Sequence, residues 1–589
     1  MKTLLRLCLL VLLLPLAATA ATTGLVPWQP YGDAAFAQAR AERRFVLLEL
    51  EAVWCHWCHV MDERTWTDPR VAAAVARDFV PVRADHDARP DLAERYRDYG
   101  WPAIIVLDGS GREIVKRAGY LAPERMLALL AAIVADPSPE AAAAAGEPEN
   151  WAVSPLLDRA VAVELEQRFV ASHDFALGGL LGAQKVVDRD AAEYALLRAA
   201  AGDRVGEVIA RSNLAAARRL ADPVWGGIYQ YSTGGDWNHP HFEKLGFIQA
   251  DYLRLFALGY AAFRDPRDAA VMAQLHAYLR RFLQAPDGSF YTSQDADLKP
   301  GEHAADYFAL PDRQRLARGI PRVDRHIYAK ENGLLAAALV QAHLATGCPE
   351  YLADARRAVE RMLATRRLAG GGFSHDAGDA GGPYLADNLA MLRALLALHG
   401  TTGERSWLAE AVATADFIDA RFRRPAAPGY LSAAANGPLA PVPTLDENLA
   451  LARAANLLGH YSGAPRHRAM AENAMRYIVT PDVALARLSD PGILIAAREL
   501  GSDPAHLTVV GSRGDVAAAA LFRAAADWPV VYKRVEWWDR AEGPLPNADV
   551  VYPQLAKAAA YVCSAGRCSR PLFATAELLD LAAELNAPR

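Results

Sequence analysis

The chain predicts a multidomain protein: an N-terminal α/β unit, a long all-α region closed into an α/α toroid, and a small C-terminal α/β segment. Three observations predict it. The apolar run Phe45-Val46-Leu47-Leu48-Glu49-Leu50 leads directly into Cys55-His56-Trp57-Cys58-His59. Over 151–500, amphipathic helices follow one another with Gly-aromatic loops between them. Over 501–589 the pattern returns to α/β, with Leu507-Thr508-Val509-Val510 and Val530-Val531-Tyr532-Lys533 as strands around a helix over 516–525.

The N-terminal unit, 21–135, alternates strand and helix. The run 45–50 is a strand, and a helix starts at the cysteine pair. Thr67-Asp68-Pro69 caps a second helix over 70–78, with proline in the first turn. A strand over 79–84 and a helix over 91–99 follow. Strands 103–107 and 113–117 pair across Asp108-Gly109-Ser110-Gly111, and a helix over 124–134 closes the unit. Ala135-Asp136-Pro137-Ser138-Pro139 opens a stretch rich in Ala, Gly, Pro and Glu that reads as a linker over 136–150.

Two cysteines three apart at a helix start put both sulfurs at its positive end, where the dipole and unpaired N–H groups favour the thiolate. Only the thiolate attacks a disulfide, so the layout suits thiol–disulfide exchange. His56 is placed to stabilise the Cys55 thiolate, which makes the disulfide more oxidising, and His59 to approach Cys55 one turn on. Trp54 and Trp57 are expected to shield the site and bind a partner's apolar surface. Three other readings stay open. Cys-x-x-Cys-His is also the attachment signature of c-type haem. Cys55, Cys58, His56 and His59, with His86 as a further candidate, could hold zinc or copper. The third is a disulfide without activity. The primary expectation is that no cofactor and no metal is bound.

Residues 1–20 read as a signal peptide: Lys2 and Arg6, an apolar stretch over 9–16, then Ala18-Thr19-Ala20. A periplasmic or secreted protein is therefore expected, and Cys8 would leave with the signal. No later stretch reaches bilayer-spanning length without charge, so no stable membrane insertion is expected. Five cysteines then remain, too few for a disulfide scaffold, and a composition of 52% hydrophobic residues supplies the core instead. A net charge of −6 without a basic stripe argues against nucleic acid.

In the helical region, helices are expected over 203–221, 244–264, 267–284, 332–346, 351–366, 384–399 and 406–421, with Leu389, Leu392, Leu395 and Leu396 on one face. Gly178-Gly179-Leu180, Gly226-Gly227-Ile228-Tyr229, Gly288-Ser289-Phe290-Tyr291, Gly371-Gly372-Phe373 and Gly429-Tyr430 each follow a helix. They either ring a central pocket or are helix ends with an anchoring apolar residue. Glycoside hydrolysis needs two carboxyls about 5–5.5 or about 6.5–9.5 Å apart. Glu243, Asp251, Asp295, Asp297 and Glu331 are the acids considered, although Asp295 or Asp297 could simply cap a turn. Trp225, Tyr229, Trp237 and Tyr291 are the aromatics for stacking on sugar rings, and His239, His241 or His326 the proton carriers for epimerisation. In the last segment Gly511-Ser512-Arg513-Gly514 reads as a tight turn. Cys563 and Cys568 are expected to close a structural disulfide, and Cys348 to be a buried thiol.

The N-terminal unit resembles a thioredoxin fold over its whole length. Trp101-Pro102 precedes the third strand, where thioredoxins carry a cis-proline facing the cysteines, and Glu49 stands where they place a buried acid that moves protons. The resemblance implies that Cys55 is an exposed nucleophile, Cys58 the resolving thiol, Glu49 a proton relay and Pro102 the shaper of a docking groove. Residues 54–61, Trp101-Pro102, His239-Pro240-His241-Phe242-Glu243-Lys244 and Tyr561-Val562-Cys563 with Cys568-Ser569-Arg570-Pro571 together resemble a family of large thioredoxin-domain proteins of unknown function. That family, domain of unknown function 255, includes the spermatogenesis-associated thioredoxin-like proteins. It implies a toroid similar to six-hairpin glycosidases and sugar epimerases. The chain departs from the family pattern at Ile248, where an aspartate is usual.

The expected function is an exported thiol–disulfide oxidoreductase acting on a thiol or disulfide client protein or redox partner. Its toroid would bind a client or a carbohydrate, and across the two units Trp54, Trp57, His59, Trp101, His241, Glu243 and Asp295 are the expected partner- or substrate-binding residues. The alternatives are a carbohydrate-active enzyme, glycosidase or epimerase-like, with a non-redox thioredoxin-like module, and a metal- or client-binding protein without turnover.

Overall fold

The N-terminal unit of the computed structural model comprises β1 (Gln29–Pro30), α1 (Asp33–Glu42), β2 (Phe45–Glu51), α2 (His56–Arg64), α3 (Pro69–Asp78), β3 (Phe79–Asp85), α4 (Pro90–Arg95), β4 (Ala103–Leu107), β5 (Glu113–Ala118) and α5 (Pro123–Ala135). The structure describes residues 25–140, 146–378, 381–434, 437–564 and 567–586, so the expected signal peptide lies outside the described residues. The sheet order is β1-β3-β2-β4-β5, with β2 parallel to β3 and antiparallel to β4. Because β2 is central, both of its faces are covered. Val46, Leu48 and Leu50 join Phe36, Val82 and Ile105 on one side, and Leu47 joins Phe79, Ile104 and Leu130 on the other. This is a thioredoxin-like arrangement, and the Trp101–Pro102 peptide at the head of β4 is cis. The helix expected over 91–99 breaks into α4 and a 3-10 turn at Arg97–Tyr99.

The helical region is six hairpins: α6 (Arg159–Ala171) with α7 (Arg189–Ala200), α8 (Arg204–Ala217) with α9 (Gly246–Phe263), and α10 (Pro266–Tyr278), followed after short α11 (Ala305–Phe308) and α12 (Asp312–Arg318) by α13 (Ala329–Thr346). Then come α14 (Pro349–Thr365) with α15 (Leu385–Thr402), α16 (Arg405–Phe422) with α17 (Leu445–Ser462), and α18 (Pro465–Ile478), which is followed after short α19 (Pro481–Ala484) by α20 (Gly492–Gly501). The second helices pack in sequence, α7 on α9, α9 on α13, α13 on α15, α15 on α17, α17 on α20 and α20 on α7, which closes the ring. Enclosure on all sides makes α13 and α15 apolar around most of their circumference. The unit is a six-hairpin toroid.

The Gly-aromatic repeat has a packing cause. Asn332 Oδ1 accepts from Phe290 N (2.7 Å) and its Nδ2 donates to Phe290 O (3.0 Å). Asn388 does the same for Phe373, Asn448 for Tyr430 and Gln249 for Ile228. In α9, α13, α15 and α17 an amide in the first turn thus replaces the strand partner that the loop lacks. Phe290, Phe373 and Tyr430 are fully buried, so these residues fill the core and do not ring a pocket. Glycine is needed where the loop crosses a neighbour: a Cβ on Gly227 (φ +76°) would meet the Tyr278 ring at 2.7 Å.

Short strands tie neighbouring loops together: β6 (Tyr231–Ser232) pairs with β7 (Pro240–His241), and β8 (Lys244–Leu245) and β10 (Val323–Asp324) flank β9 (Ser293–Gln294). In the C-terminal segment β11 (Ala505–Val510), α21 (Val516–Asp527), β12 (Lys533–Trp538), β13 (Ala559–Ser564) and β14 (Arg567–Cys568) form a sheet of order β12-β11-β13-β14, with α22 (Thr575–Asn586) after it. Cys563 and Cys568 face each other across the β13–β14 pair and are disulfide-bonded. Cys348, expected to be buried, is half-exposed before α14 and its thiol donates to Glu350 (2.8 Å), because the helix start lies at the surface. No helix among the described residues is long and apolar enough to cross a membrane.

The thioredoxin-like unit sits on the mouth of the toroid, where the inner helices begin. His375 Nε2 donates to the backbone oxygen of Asp87 (2.7 Å) and Nδ1 lies 2.9 Å from Asp387 Oδ1, at the start of α15. Trp54 Nε1 donates to Asp87 Oδ2 (2.7 Å), and Arg97 pairs with Asp446 (2.6 Å) at the start of α17. Burial disfavours the His375 imidazolium, but Asp387 outweighs it and lifts the pKa to about 9.

Two outcomes are expected. Asn388→Ala leaves two buried backbone groups of Phe373 unpaired, at about 1–3 kcal/mol each. The toroid's urea midpoint should fall clearly, whereas exposed Asn238→Ala should move it by no more than about 0.5 kcal/mol. For His375, the raised folded pKa gives a stabilisation that is complete below the unfolded value of 6.5 and lost as pH rises toward about 9. The melting-temperature gap between wild type and His375→Gln should be constant below pH 6 and shrink between pH 6.5 and 9.

Candidate functional site

The turn after β2 makes Cys55 the N-cap of α2. Its Sγ accepts from Cys58 N at 3.1 Å, and the two cysteines are disulfide-bonded. In the reduced state the same N–H and the helix dipole favour a Cys55 thiolate. Exposure is the first correction to the sequence reading: Cys55 is 3% and Cys58 2% exposed. Leu245, Phe247 and Ile248, at the start of α9, pack on the pair together with Trp54 and Trp101. Ile248, the position at which the sequence departs from the expected pattern, forms part of that cover.

Acids from the toroid meet α2. Asp297 Oδ1 accepts from His56 Nδ1 (2.7 Å), while its Oδ2 lies 3.1 Å from His59 Nδ1 and accepts from Gly301 N (2.9 Å). Asp295 Oδ1 accepts from Asp297 N (2.9 Å), and its Oδ2 is 3.8 Å from His59 Nε2. Glu243 Oε1 is 3.5 Å from the His56 amide, in the first turn of α2, and 3.8 Å from His241 Nδ1. The pairing of β8 with β9 aligns these acids, since Glu243 precedes β8 and Asp295 follows β9. Burial drives Asp295 up to about 7, opposed by His59 and assisted by Asp297 and Glu243. Asp297 is held low against its burial by the hydrogen bonds from His56 and His59. Burial works against the His59 imidazolium, yet Asp297 and Asp295 raise its pKa.

The histidines were expected to act on Cys55 directly. Instead both point their ring nitrogens at Asp297, so any effect of theirs on the sulfur passes through that carboxylate. Glu49 is fully buried, with Trp66 Nε1 on Oε1 (2.9 Å) and Arg83 donating twice to Oε2 (2.9 and 2.6 Å). Burial raises its pKa against the pull of Arg83. A relay from Glu49 to Cys58 therefore competes with an ion pair. Trp54 is sealed in the interface and packs on Trp101 (5.2 Å), so it binds the chain's own toroid and not a partner. Trp57 stays 39% exposed, stacked near Tyr120 (5.9 Å). Pro102 is buried beneath the same interface.

The acids considered for hydrolysis divide. Glu243, Asp295 and Asp297 face α2, Asp251 pairs with Arg189 (3.3 Å), and Glu331 lies beside Lys330 at the mouth. Trp225, Tyr229 and Trp237 are core residues. The first two surround Lys244, which with Arg315 is ion-paired to Asp222 (2.7 Å each). His239 and His326 are exposed and bonded to Asp236 and Asp324, and only His241 reaches the acids, stacked on Tyr231 (4.3 Å). Asp87 and His375 were not singled out from sequence. No local pattern marks them, because each is defined by a partner in the other unit.

The family model Thioredox_DsbH, protein of unknown function DUF255, matches residues 18–133. Human Spermatogenesis-associated protein 20 is 25% identical over 310 residues, which are 47% of this chain and 39% of that protein. The chain thus matches less than half the length of this curated relative. The thiol:disulfide interchange protein DsbD of Ralstonia nicotianae is 39% identical over 103 residues, 17% of either chain. A sugar epimerase from a ruminal bacterium is similar in structure at 12% identity and a TM-score of 0.44, over 55% of this chain and 86% of that one. The N-terminal unit, with its Cys55–Cys58 disulfide at the head of α2, is the part of the chain that the DUF255 family model matches.

Proposed function

We propose that the protein is an exported thiol–disulfide oxidoreductase whose exchanging pair, Cys55 and Cys58, works beneath a cover supplied by the toroid. The observation that carries this reading is the hydrogen bond from Cys58 N to Cys55 Sγ at the N-terminus of α2, in a thioredoxin-like sheet. The relative named for thiol:disulfide interchange, 39% identical over 103 residues, also supports it. Export is supported by the basic, apolar and small-residue segments of residues 1–20, and by a second disulfide at Cys563–Cys568.

The exchange runs as follows. The Cys55 thiolate attacks one sulfur of a client disulfide, the client's S–S bond breaks and its other sulfur leaves as a thiolate. Cys58, deprotonated, then attacks Cys55 Sγ and expels the second client thiolate. Two electrons pass to the client and the pair ends as the disulfide seen here. The reverse sequence oxidises a client. With both cysteines almost sealed, a client gains the sulfurs only when the start of α9 moves aside, and the exposed Trp57 offers an apolar edge next to that opening. The mouth of the toroid holds the Asp87 loop, so the reading assigns no carbohydrate there.

A glutathione titration of the full chain, with alkylation mapping, tests the reading. Cys55 and Cys58 should titrate together as a two-electron couple, about 30 mV per tenfold change in equilibrium constant. Cys55→Ser should abolish exchange. A pair that resists reduction until the protein unfolds would make the disulfide structural. Phe247→Ala, which thins the cover, should speed attack by glutathione on the disulfide in a stopped-flow assay.

A further inference from the structure

We propose that His59, Asp295 and Asp297 form a site for a divalent first-row transition ion, with the buried Glu243 carboxylate adding negative charge beside it, so that the ion clasps α2 to the toroid. The set differs from the Cys55, Cys58 and His59 ligands considered from sequence, because both sulfurs are engaged with each other.

The orientation of His59 is the first argument. Its Nε2 lies 3.2 Å from Val53 O, and a backbone carbonyl only accepts, so Nε2 carries a proton. Nδ1 then faces Asp297 Oδ2 at 3.1 Å. A proton fills the space between Nδ1 and that oxygen in the imidazolium, and a divalent ion can fill it when the ring is neutral. An imidazole fixed through its far nitrogen by a backbone carbonyl is the usual posture of a metal ligand.

Geometry is the second. One ligand atom from each of His59, Asp295 and Asp297 lies within 4.8 Å of the others. Ligands bound at about 2.0–2.2 Å stand no more than about 4.4 Å apart across one ion, so small side-chain shifts close the shell. Glu243 is an independent third observation. It is 3% exposed, its Oε2 has no hydrogen-bond partner, and its charge reaches Asp295. A buried, unpartnered carboxylate oxygen is unfavourable unless something positive approaches it. The outer shell is present as well: His56 Nδ1 on Asp297 Oδ1 and Gly301 N on Oδ2 fix the carboxylate plane. One imidazole with two or three carboxylates suits Zn2+, Mn2+ or Fe2+ better than thiolate-seeking Cu(I).

This inference stands apart from thiol exchange, and Cys55→Ser/Cys58→Ser separates the two. Full-length protein stripped by chelator is titrated calorimetrically with Zn2+, and with Co2+ for its absorption spectrum. Wild type and the double cysteine variant should each bind one Zn2+ per chain. Asp295→Asn and the near-isosteric Glu243→Gln should weaken binding at least about tenfold while circular dichroism shows them folded. The Co2+ spectrum should lack sulfur-to-metal charge transfer. Absence of stoichiometric Zn2+ binding in wild type overturns the proposal. So does binding that survives Asp295→Asn and Glu243→Gln but disappears with the cysteines.

Discussion

Asp297 is the group on which the union of the two halves depends. It is a carboxylate buried between domains, and it is tolerable there because His56, His59 and the Gly301 amide all address it. Those two histidines lie on the first turns of α2, on either side of Trp57 and Cys58. The acid therefore fixes where the cysteine helix meets the toroid, and the apolar cover of Leu245, Phe247 and Ile248 falls into place over the sulfurs. An exposed nucleophile and this ion-paired contact are mutually exclusive in one conformation.

The toroid acts as a rigid platform for that contact. Asn332, Asn388 and Asn448 pin each loop to the next inner helix, so the loops are held by paired backbone groups although they are not strands. Deeper in, Lys244 is fully buried and paired with Asp222 (2.7 Å), which Arg315 also grips. Burial draws the Lys244 pKa down to about 8 despite Asp222. That triad anchors Lys244 in β8, with Glu243 immediately before the strand and Leu245 within it. Trp225 and Tyr229 wrap these cations, which holds both aromatics in the core and away from any sugar-stacking position.

What was legible in the sequence follows the range of the interaction. Strand β2, the cysteine pair and α2 are a local pattern of periodicity and capping, and they stand as read. The Gly-aromatic repeat was visible as a repeat, but its cause was not: Phe290 is held by Asn332, 42 residues on, and Tyr430 by Asn448, 18 residues on, with no local signature joining them. The site was half legible. Glu243, Asp295 and Asp297 could be named as acids, yet nothing near them indicated that they face His56 and His59, more than 180 residues away in the chain. The same distance hid the burial of Cys55, since its cover comes from the start of α9.

Enclosure and redox state must influence each other. A disulfide is neutral and loses little on leaving water, whereas a thiolate at Cys55 would be desolvated beside Glu243, which already occupies the first turn of α2 at 3.5 Å from the His56 amide. The helix end returns typically 0.3–1 kcal/mol to an anion there, and a neighbouring like charge within about 4–6 Å moves a pKa in the opposite sense by an amount of similar or larger size. In the closed form the acids therefore favour the oxidised pair. By reciprocity, oxidation favours closure and reduction loosens the cover. A cation between His59, Asp295 and Asp297 reverses the sign of that local field, so the closed interface would then tolerate the thiolate that its acids otherwise expel.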